Sequence, residues 1–274
     1  MKPFIKWCGG KTKVLNQITP HIKEGMESCT TYHEYFLGSG AVLLNICPKK
    51  AVLNDINYDL ISCYLEVKNN PELLISKLVE HEKKHYTNGN YFFHIREKDR
   101  LKNYNSRPRL FKVARLIYLL STCYNGLPRY NMSGYFNTSK GDYKNPYIVR
   151  EKEIIDVSKY LNESYIVFKS KNFKDLRYDF FGRQNFFYFD PPYHLDNSFL
   201  FNRNKFGEDS QKLLKQIVDN LSQNGCNVAI SNSNTPFIRS LYSSYKIVNI
   251  EANRTVNSNI KSRGKIKELL IKNY

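Results

Sequence analysis

The tetrapeptide Asp190-Pro191-Pro192-Tyr193 constrains this chain more than any other stretch. It follows Asn185-Phe186-Phe187-Tyr188-Phe189, a short apolar run that predicts a buried strand ending at the aspartate. Neither proline has an N–H to give to a strand ladder, so the strand must stop there. A rigid turn then holds a carboxylate, free peptide carbonyls and an aromatic ring at the strand's carboxyl end. In open parallel sheets that end is where ligands sit. The set suits attack by the weakly nucleophilic exocyclic amine of a planar base. A carboxylate and a carbonyl, each accepting one amino hydrogen, would draw the nitrogen toward tetrahedral geometry and free its lone pair. The tyrosine face could stack on the base. The competing reading is an edge strand that ends in an ordinary proline turn, and the rest of the chain must decide between the two.

With 274 residues the chain can bury a sizeable core, as one large domain or one domain with a substantial insertion. Lys and Arg outnumber Asp and Glu 42 to 25, a formal charge of +17 that is spread along the chain. A basic face that attracts a polyanion, nucleic acid first, is the reading this favours over charge kept for solubility. The six cysteines form no CxxC pair and no His clusters beside them, so neither a disulfide framework nor a metal site is expected. Met1-Lys2-Pro3-Phe4 opens no signal-peptide core, and no apolar run is long enough to span a membrane. A cytoplasmic protein without a membrane partner is expected.

Lys6-Trp7-Cys8-Gly9-Gly10-Lys11 pairs two glycines with a lysine that could meet a carboxylate; a plain glycine turn before a helix over Thr12–Ile22 is the commoner reading. Tyr32–Phe36 reads as a strand running into Leu37-Gly38-Ser39-Gly40, with a helix over Ala41–Ile46. Strand, glycine turn and helix is the layout of a nucleotide-binding crevice, although the third glycine of a dinucleotide fingerprint is missing. A second strand, Ala51–Asn54, ends at Asp55, which could accept both ribose hydroxyls of an adenosine or cap the following helix. From about Asp59 to Val149 the character changes, with helical patterns over Pro71–His81 and Arg109–Thr122. A turn-rich, aromatic and basic stretch from Tyr124 to Lys144 follows. Arg and Asn between aromatics suit a loop that enters a groove, while a hairpin with solvated charges is the alternative. Alternation then resumes with strands over Tyr165–Phe168, Asn227–Ile230, Tyr245–Ala252 and Glu268–Asn273 and a helix over Asp209–Ser222. A mobile segment is expected over residues 194–206. A basic loop over residues 253–265 is expected to touch phosphates or close over a substrate.

Taken together, KWCGGK, FLGSG and DPPY, with NDINYDLI between the last two, resemble the Dam-type (class alpha) DNA adenine-N6 methyltransferases. The resemblance covers nearly the whole chain; NGLPRYN resembles the family's recognition hairpin, and ANRT with SRGK its C-terminal loop. It implies an α/β fold: a Rossmann-like S-adenosylmethionine-dependent methyltransferase sheet with an inserted, mostly helical recognition domain carrying a β-hairpin. Residues 1–58 and 150–274 are then expected to form the catalytic domain, and 59–149 the target-recognition domain.

The resemblance further implies methyl transfer from S-adenosylmethionine to N6 of an adenine flipped out of duplex DNA, within GATC or a related short site. No metal is implied. A monomer is expected, with a cognate restriction endonuclease as a partner if the enzyme serves a restriction-modification system. By position, Trp7, Lys11, Phe36, Gly38, Ser39, Gly40, Asp55, Phe173 and Asp190 would surround the cofactor, with Asp55 on its ribose. Asp190 and the Pro191 carbonyl, in the turn that Pro192 completes, would bind the target amino group, and Tyr193 would stack on the adenine. Lys6 and Arg129 would read guanines, Tyr124 would wedge into the stack, and Leu127 and Tyr143 would touch inner base pairs. Asn125 and Asn131 would hold phosphates. Ser139 stands where family members carry a base-contacting proline, Asp142 where they carry a phosphate-binding arginine, and Asn172 where Asp often precedes Phe. The first two departures bear on the target site rather than on the reaction, and the third falls at a cofactor-adenine contact. The same tetrapeptide could serve N4 of cytosine, so the target base follows from the resemblance alone.

Overall fold

The computed structural model describes residues 1–180, 182–194, 206–253 and 265–274. Both the expected mobile segment after His194 and the basic loop after Asn253 lie, for most of their length, outside the described residues. The chain forms two compact units. One comprises Lys11–Leu37, Asn45–Ile56 and Ser164–Tyr274; the other comprises Met1–Gly10, Gly38–Leu44 and Asn57–Glu163.

The first unit holds one seven-stranded sheet. Its strands are β1 (Thr31–Glu34), β2 (Lys50–Asn54), β3 (Tyr165–Lys169), β4 (Asn185–Phe189), β5 (Asn227–Ser233), β6 (Lys246–Asn253) and β7 (Lys265–Lys272). Their order is β3-β2-β1-β4-β5-β7-β6. Strands β1 to β5 pair in parallel, while β7 lies antiparallel between β5 and β6. This is a Rossmann-like sheet closed by an antiparallel hairpin. The order reverses between β1 and β4, which makes their carboxyl ends the topological switch point, the position where ligands enter such sheets. The β1–β4 register ends with Glu34 opposite Tyr188, two residues before Asp190.

Strand β4 is aromatic because it is covered on both faces: Phe186, Phe187, Tyr188 and Phe189 are each 0% exposed. Phe187 and Phe189 pack with Leu214, Val218 and Leu221 of helix α8 (Glu208–Gln223) and with Val228 and Ile230 of β5. This core fixes the strand that delivers Asp190.

Several expected boundaries shift, two of them for a visible local reason. The helix read over Thr12–Ile22 begins as a 3-10 turn over Lys11–Lys13, and α1 runs over Leu15–Met26. The turn is closed by the Val14 N–H donating to the Lys11 carbonyl at 2.9 Å, and Lys11 is buried. Strand β1 stops at Glu34 rather than Phe36 because Asn54 takes over the pairing. Its Nδ2 donates to the Tyr35 carbonyl (3.1 Å) and its own carbonyl accepts the Leu37 N–H (3.0 Å).

In the other unit, α3 (Tyr58–Asn69), α4 (Pro71–Thr87), α5 (Tyr91–Arg96), α6 (Arg109–Thr122) and α7 (Glu151–Glu163) surround a core of Tyr91, Phe92, Ile95, Tyr118, Leu119, Phe136 and Ile148. The cap of α3 is Asn57, whose side chain accepts the Leu60 N–H at 3.1 Å, so the capping role considered for Asp55 belongs to Asn57. Helix α2 (Ala41–Ile46) follows the glycine turn as expected. No helix among the described residues is long and apolar enough to cross a membrane.

The hairpin forms after α6. The Asn137 N–H donates to the Arg129 carbonyl and the Asn131 N–H to the Tyr135 carbonyl, both at 2.9 Å. The Thr138 hydroxyl then replaces a ladder rung, accepting the Arg129 N–H and donating to the Leu127 carbonyl, each at 2.8 Å. At the tip, Gly134 takes φ of 81° and Asn131 Oδ1 accepts the Tyr135 N–H at 2.9 Å.

Candidate active site

In the sheet-bearing unit, β4 ends at Asp190. Lys11 Nζ lies 2.7 Å from Asp190 Oδ2 and 4.8 Å from the centre of the Tyr193 ring. The Tyr193 hydroxyl donates to Glu268 Oε2 on β7 at 2.9 Å. Asp190 Oδ1 is buried and has no hydrogen-bond partner among the described residues. A buried acceptor left unmade costs about 1–3 kcal/mol, so the geometry calls for a ligand that brings an N–H. Burial pushes the Asp190 carboxyl up to about 6; the Lys11 ammonium and, more weakly, the Tyr193 hydroxyl oppose the rise, and the Glu268 carboxylate adds to it. Burial also pushes the Tyr193 phenol well above its ordinary value, which keeps it a proton donor.

The far side of the turn is tied down. The Pro192 carbonyl accepts from Gln211 Nε2 at 3.0 Å, and Gln211 Oε1 accepts from Asn232 Nδ2 at 3.0 Å. Asn232 Oδ1 accepts the Ser233 N–H at 2.9 Å and the His194 N–H at 3.4 Å. The Ser233 hydroxyl donates to the His194 carbonyl at 2.9 Å. The tetrapeptide therefore presents fewer free carbonyls than the sequence suggests, since that of Pro192 is occupied.

Beside the turn, the rings of Phe36 and Phe173 lie 5.5 Å apart, and Phe36 is 6.4 Å from Phe189. Asp55 follows the last residue of β2, its N–H directed to the Lys169 carbonyl at 3.4 Å. Its neighbour Asn54 also binds both the N–H and the carbonyl of Lys171, at 2.9 and 3.0 Å. The carboxyl ends of β1, β2 and β3 are thereby stitched together around Asp55.

In the helical unit, the glycine turn carries φ of 53° at Gly38 and 65° at Gly40. A Cβ at Gly40 would lie 2.6 Å from the Tyr64 hydroxyl, which itself donates to the Gly38 carbonyl at 3.1 Å. Only glycine fits there. Trp7 lies against Gly38, and Ser39 against Gly10.

The same unit collects the basic and aromatic residues of the hairpin. Lys6 Nζ sits 4.8 Å from the centre of the Tyr143 ring. Burial and the Arg150 charge push its ammonium pKa down. Asn125 takes φ of 54° directly after Tyr124, which is 54% exposed. Arg129, Asn131 and Ser139 are exposed, and Leu127 is half-buried. The hairpin is anchored from below: Asp99 Oδ2 accepts the Phe136 N–H at 2.8 Å and lies 2.9 Å from the Arg115 guanidinium.

A family model for D12 class N6 adenine-specific DNA methyltransferases matches residues 7–256. The chain belongs to this family. It is 37% identical over 280 residues to the type II methyltransferase M1.LlaDCHI of Lactococcus lactis subsp. cremoris, covering 100% of this chain and 96% of that protein. It is 36% identical over 297 residues to the type II methyltransferase M.MjaIII of Methanocaldococcus jannaschii, covering 100% and 99%. With the DNA adenine methylase of Salmonella typhi it shares 32% identity over 274 residues, covering 98% and 94%. The resemblance read from KWCGGK, FLGSG and DPPY therefore holds, and the chain is an adenine-specific DNA methyltransferase.

For a D12 methyltransferase, the structure gathers the expected residues into local groups. Lys11, Asp190 and Tyr193 form one, Phe36 and Phe173 a second, Trp7 with the glycine turn a third, and Lys6 with Tyr143 a fourth. Lys11 is engaged by the Asp190 carboxylate, a partner the sequence did not name for it. Sequence reasoning also missed Glu268, Gln211 and Asn232. Gln211 sits in a polar-rich helix, where one more amide looks like surface. Asn232 had a usable signal, because it follows the apolar β5 run at the same sheet edge as Asp190.

Proposed function

We propose that this methyltransferase transfers a methyl group from S-adenosylmethionine to N6 of an adenine flipped out of duplex DNA, within GATC or a related short site. The observation that carries the reading is the buried Asp190 Oδ1 at the switch point, without a hydrogen-bond partner among the described residues and beside an oxygen held by Lys11. The donor's chemistry is a methyl group activated on a cationic sulfur. The residues present suit a cation, since Lys11 is outnumbered by the two carboxylates of Asp190 and Glu268. Phe36, Phe173, Asp55, Trp7, Lys11, Gly38, Ser39 and Gly40 are the residues proposed to hold this cofactor, with Asp55 on its ribose.

Asp190 Oδ1 and the Pro191 carbonyl each accept one hydrogen of the adenine amino group, drawing its nitrogen toward tetrahedral geometry. As the nitrogen gains its new bond it turns positive, and the fixed carboxylate charge stabilises it; one such oriented group is typically worth about 10²–10³ in rate. The spare amino proton then leaves the nitrogen, and Asp190 can accept it at Oδ1. Tyr193 stacks on the base, whose extrusion costs a few kcal/mol.

On the DNA side, Lys6 and Arg129 read guanines, Leu127 and Tyr143 touch inner base pairs, and Tyr124 fills the stack. Asn125 and Asn131 hold phosphates, and Ser139 lies at the base-contacting position. Residues 59–149 form the recognition domain and residues 1–58 and 150–274 the catalytic one. The enzyme acts as a monomer in the cytoplasm, and the type II relatives support a cognate restriction endonuclease as its partner. The net charge of +17 favours the polyanionic substrate.

The test is incubation of labelled S-adenosylmethionine with duplex DNA, single-stranded DNA and RNA, followed by sequencing that maps modified bases. Label on duplex adenine within one short site is expected. Equal or better labelling of RNA would overturn the reading.

A further inference from the structure

The two buried amides behind the DPPY turn have a fixed polarity. The Pro192 carbonyl can only accept, so Gln211 must present its NH2 group there, at 3.0 Å. Its oxygen then faces Asn232, which must donate through Nδ2, at 3.0 Å. That leaves Asn232 Oδ1 toward the Ser233 and His194 N–H groups, which can only donate. Backbone groups at both ends thus determine the orientation of both side chains. Gln211 and Asn232 are each 0% exposed, so water offers no substitute partner.

We propose that Gln211 and Asn232 form a directional amide relay that positions the DPPY turn for methyl transfer. They are positioning residues, acting through Pro192 and His194 on Asp190 and Tyr193. By occupying the Pro192 carbonyl, Gln211 turns that peptide away from the substrate and leaves the Asp190 and Pro191 groups facing it. The proposal rests on the catalytic reading of the turn given above. It adds that helix α8 and strand β5 set the turn's geometry through these two side chains.

The relay makes an unusual demand on Gln211→Glu, a nearly isosteric change. An ionised Glu would set an acceptor against the Pro192 carbonyl, whereas a protonated one restores a donor on one oxygen and an acceptor on the other. The variant's rate relative to wild type should therefore rise as pH falls. Taking the ratio removes the titration of Asp190, which both proteins share.

The experiment measures the first-turnover burst of methyl transfer, with duplex and S-adenosylmethionine in saturating excess over enzyme, from pH 5.5 to 8.5 for wild type, Gln211→Glu, Gln211→Leu and Asp190→Asn. Rates are normalised to burst amplitude, so the fraction of folded enzyme cancels. The relay predicts that Gln211→Leu loses about 10–100-fold in rate with DNA and cofactor affinities within about twofold of wild type. It predicts a Gln211→Glu to wild-type ratio that climbs at least threefold toward low pH. A ratio flat with pH would overturn the proposal, as would rates within threefold of wild type, or loss of Gln211→Glu amplitude at every pH. Asp190→Asn separates the two readings. Near-normal transfer by that variant defeats the catalytic role of the turn itself, whereas an inactive Asp190→Asn with unaffected Gln211 variants defeats only the relay.

Discussion

Lys11 Nζ and Asp190 Oδ2 lie 2.7 Å apart, both largely removed from solvent, and the second carboxylate oxygen has no hydrogen-bond partner among the described residues. Lysine at the first helical turn therefore orients the carboxylate at the end of β4 without consuming it. The arrangement also sets the acid limb of the reaction. Burial has pushed the Asp190 carboxyl up to about 6, and in the proposed reaction only its ionised form offers a charge to the developing ammonium and a site for the departing proton. Transfer is thus expected to be full above this value and to fall as pH drops through it. Lys11→Met removes the charge that opposes the rise, so its acid limb should move to higher pH. Single-turnover rates against pH for the two proteins check this; superimposable limbs would contradict it.

The hydroxyl and the ring of Tyr193 have separable roles. Its hydroxyl holds Glu268 at 2.9 Å, and its ring is the proposed stacking platform. Tyr193→Ala should cost about 1–3 kcal/mol of transition-state stabilisation through lost stacking. Tyr193→Phe, which keeps the ring, should cost less. Rate constants on one duplex for the two variants make the comparison, and equal losses would place the whole effect in the hydroxyl.

Asp99 braces the hairpin that carries Arg129. Its carboxylate receives both the Phe136 N–H and the Arg115 guanidinium in a nearly dry setting. Removing one partner of a buried ion pair costs about 3–5 kcal/mol. Asp99→Ala is expected to lower stability by this order in urea denaturation and to weaken DNA binding while sparing cofactor binding. An unchanged midpoint would mean that the hairpin holds itself.

Arg129 is exposed beside the Leu127–Thr138 brace of the hairpin. A bidentate arginine–guanine contact discriminates by about 1–3 kcal/mol. Arg129→Ala should therefore relax specificity at one base pair, whereas Asn131→Ala should weaken all sequences alike. Methylation rates on GATC and its single-base variants decide the matter. If Arg129→Ala slows every duplex equally, Arg129 is a backbone ligand.

Much of this was readable from the chain, for identifiable reasons. Strand β4 could be read because five residues buried on both faces abut two prolines. Helix α6 could be read because its apolar pattern fills the run from Arg109 to Thr122. The strand order could not, since the insertion of β7 between β5 and β6 depends on pairings remote in sequence. The sequence offered Asp55 as a helix cap, and only the Leu60 N–H shows that Asn57 takes that role. In the site, Asp190 announced itself through its prolines, and Gly40 through a φ that its turn demands. Glu268 and Gln211 gave no such signal. A polar residue whose partner is a distant backbone carbonyl or phenol carries no local pattern of its own.

The most direct measurement of the central claim is methyl transfer by Asp190→Ala, with the product nucleosides identified by mass spectrometry and cofactor affinity measured alongside. Wild type should yield N6-methyladenine. Asp190→Ala should fall by at least about 10²-fold, the typical loss of one oriented group in an active site, while still binding duplex DNA. Transfer within tenfold of wild type, or a wild-type product methylated on cytosine N4, would contradict the account.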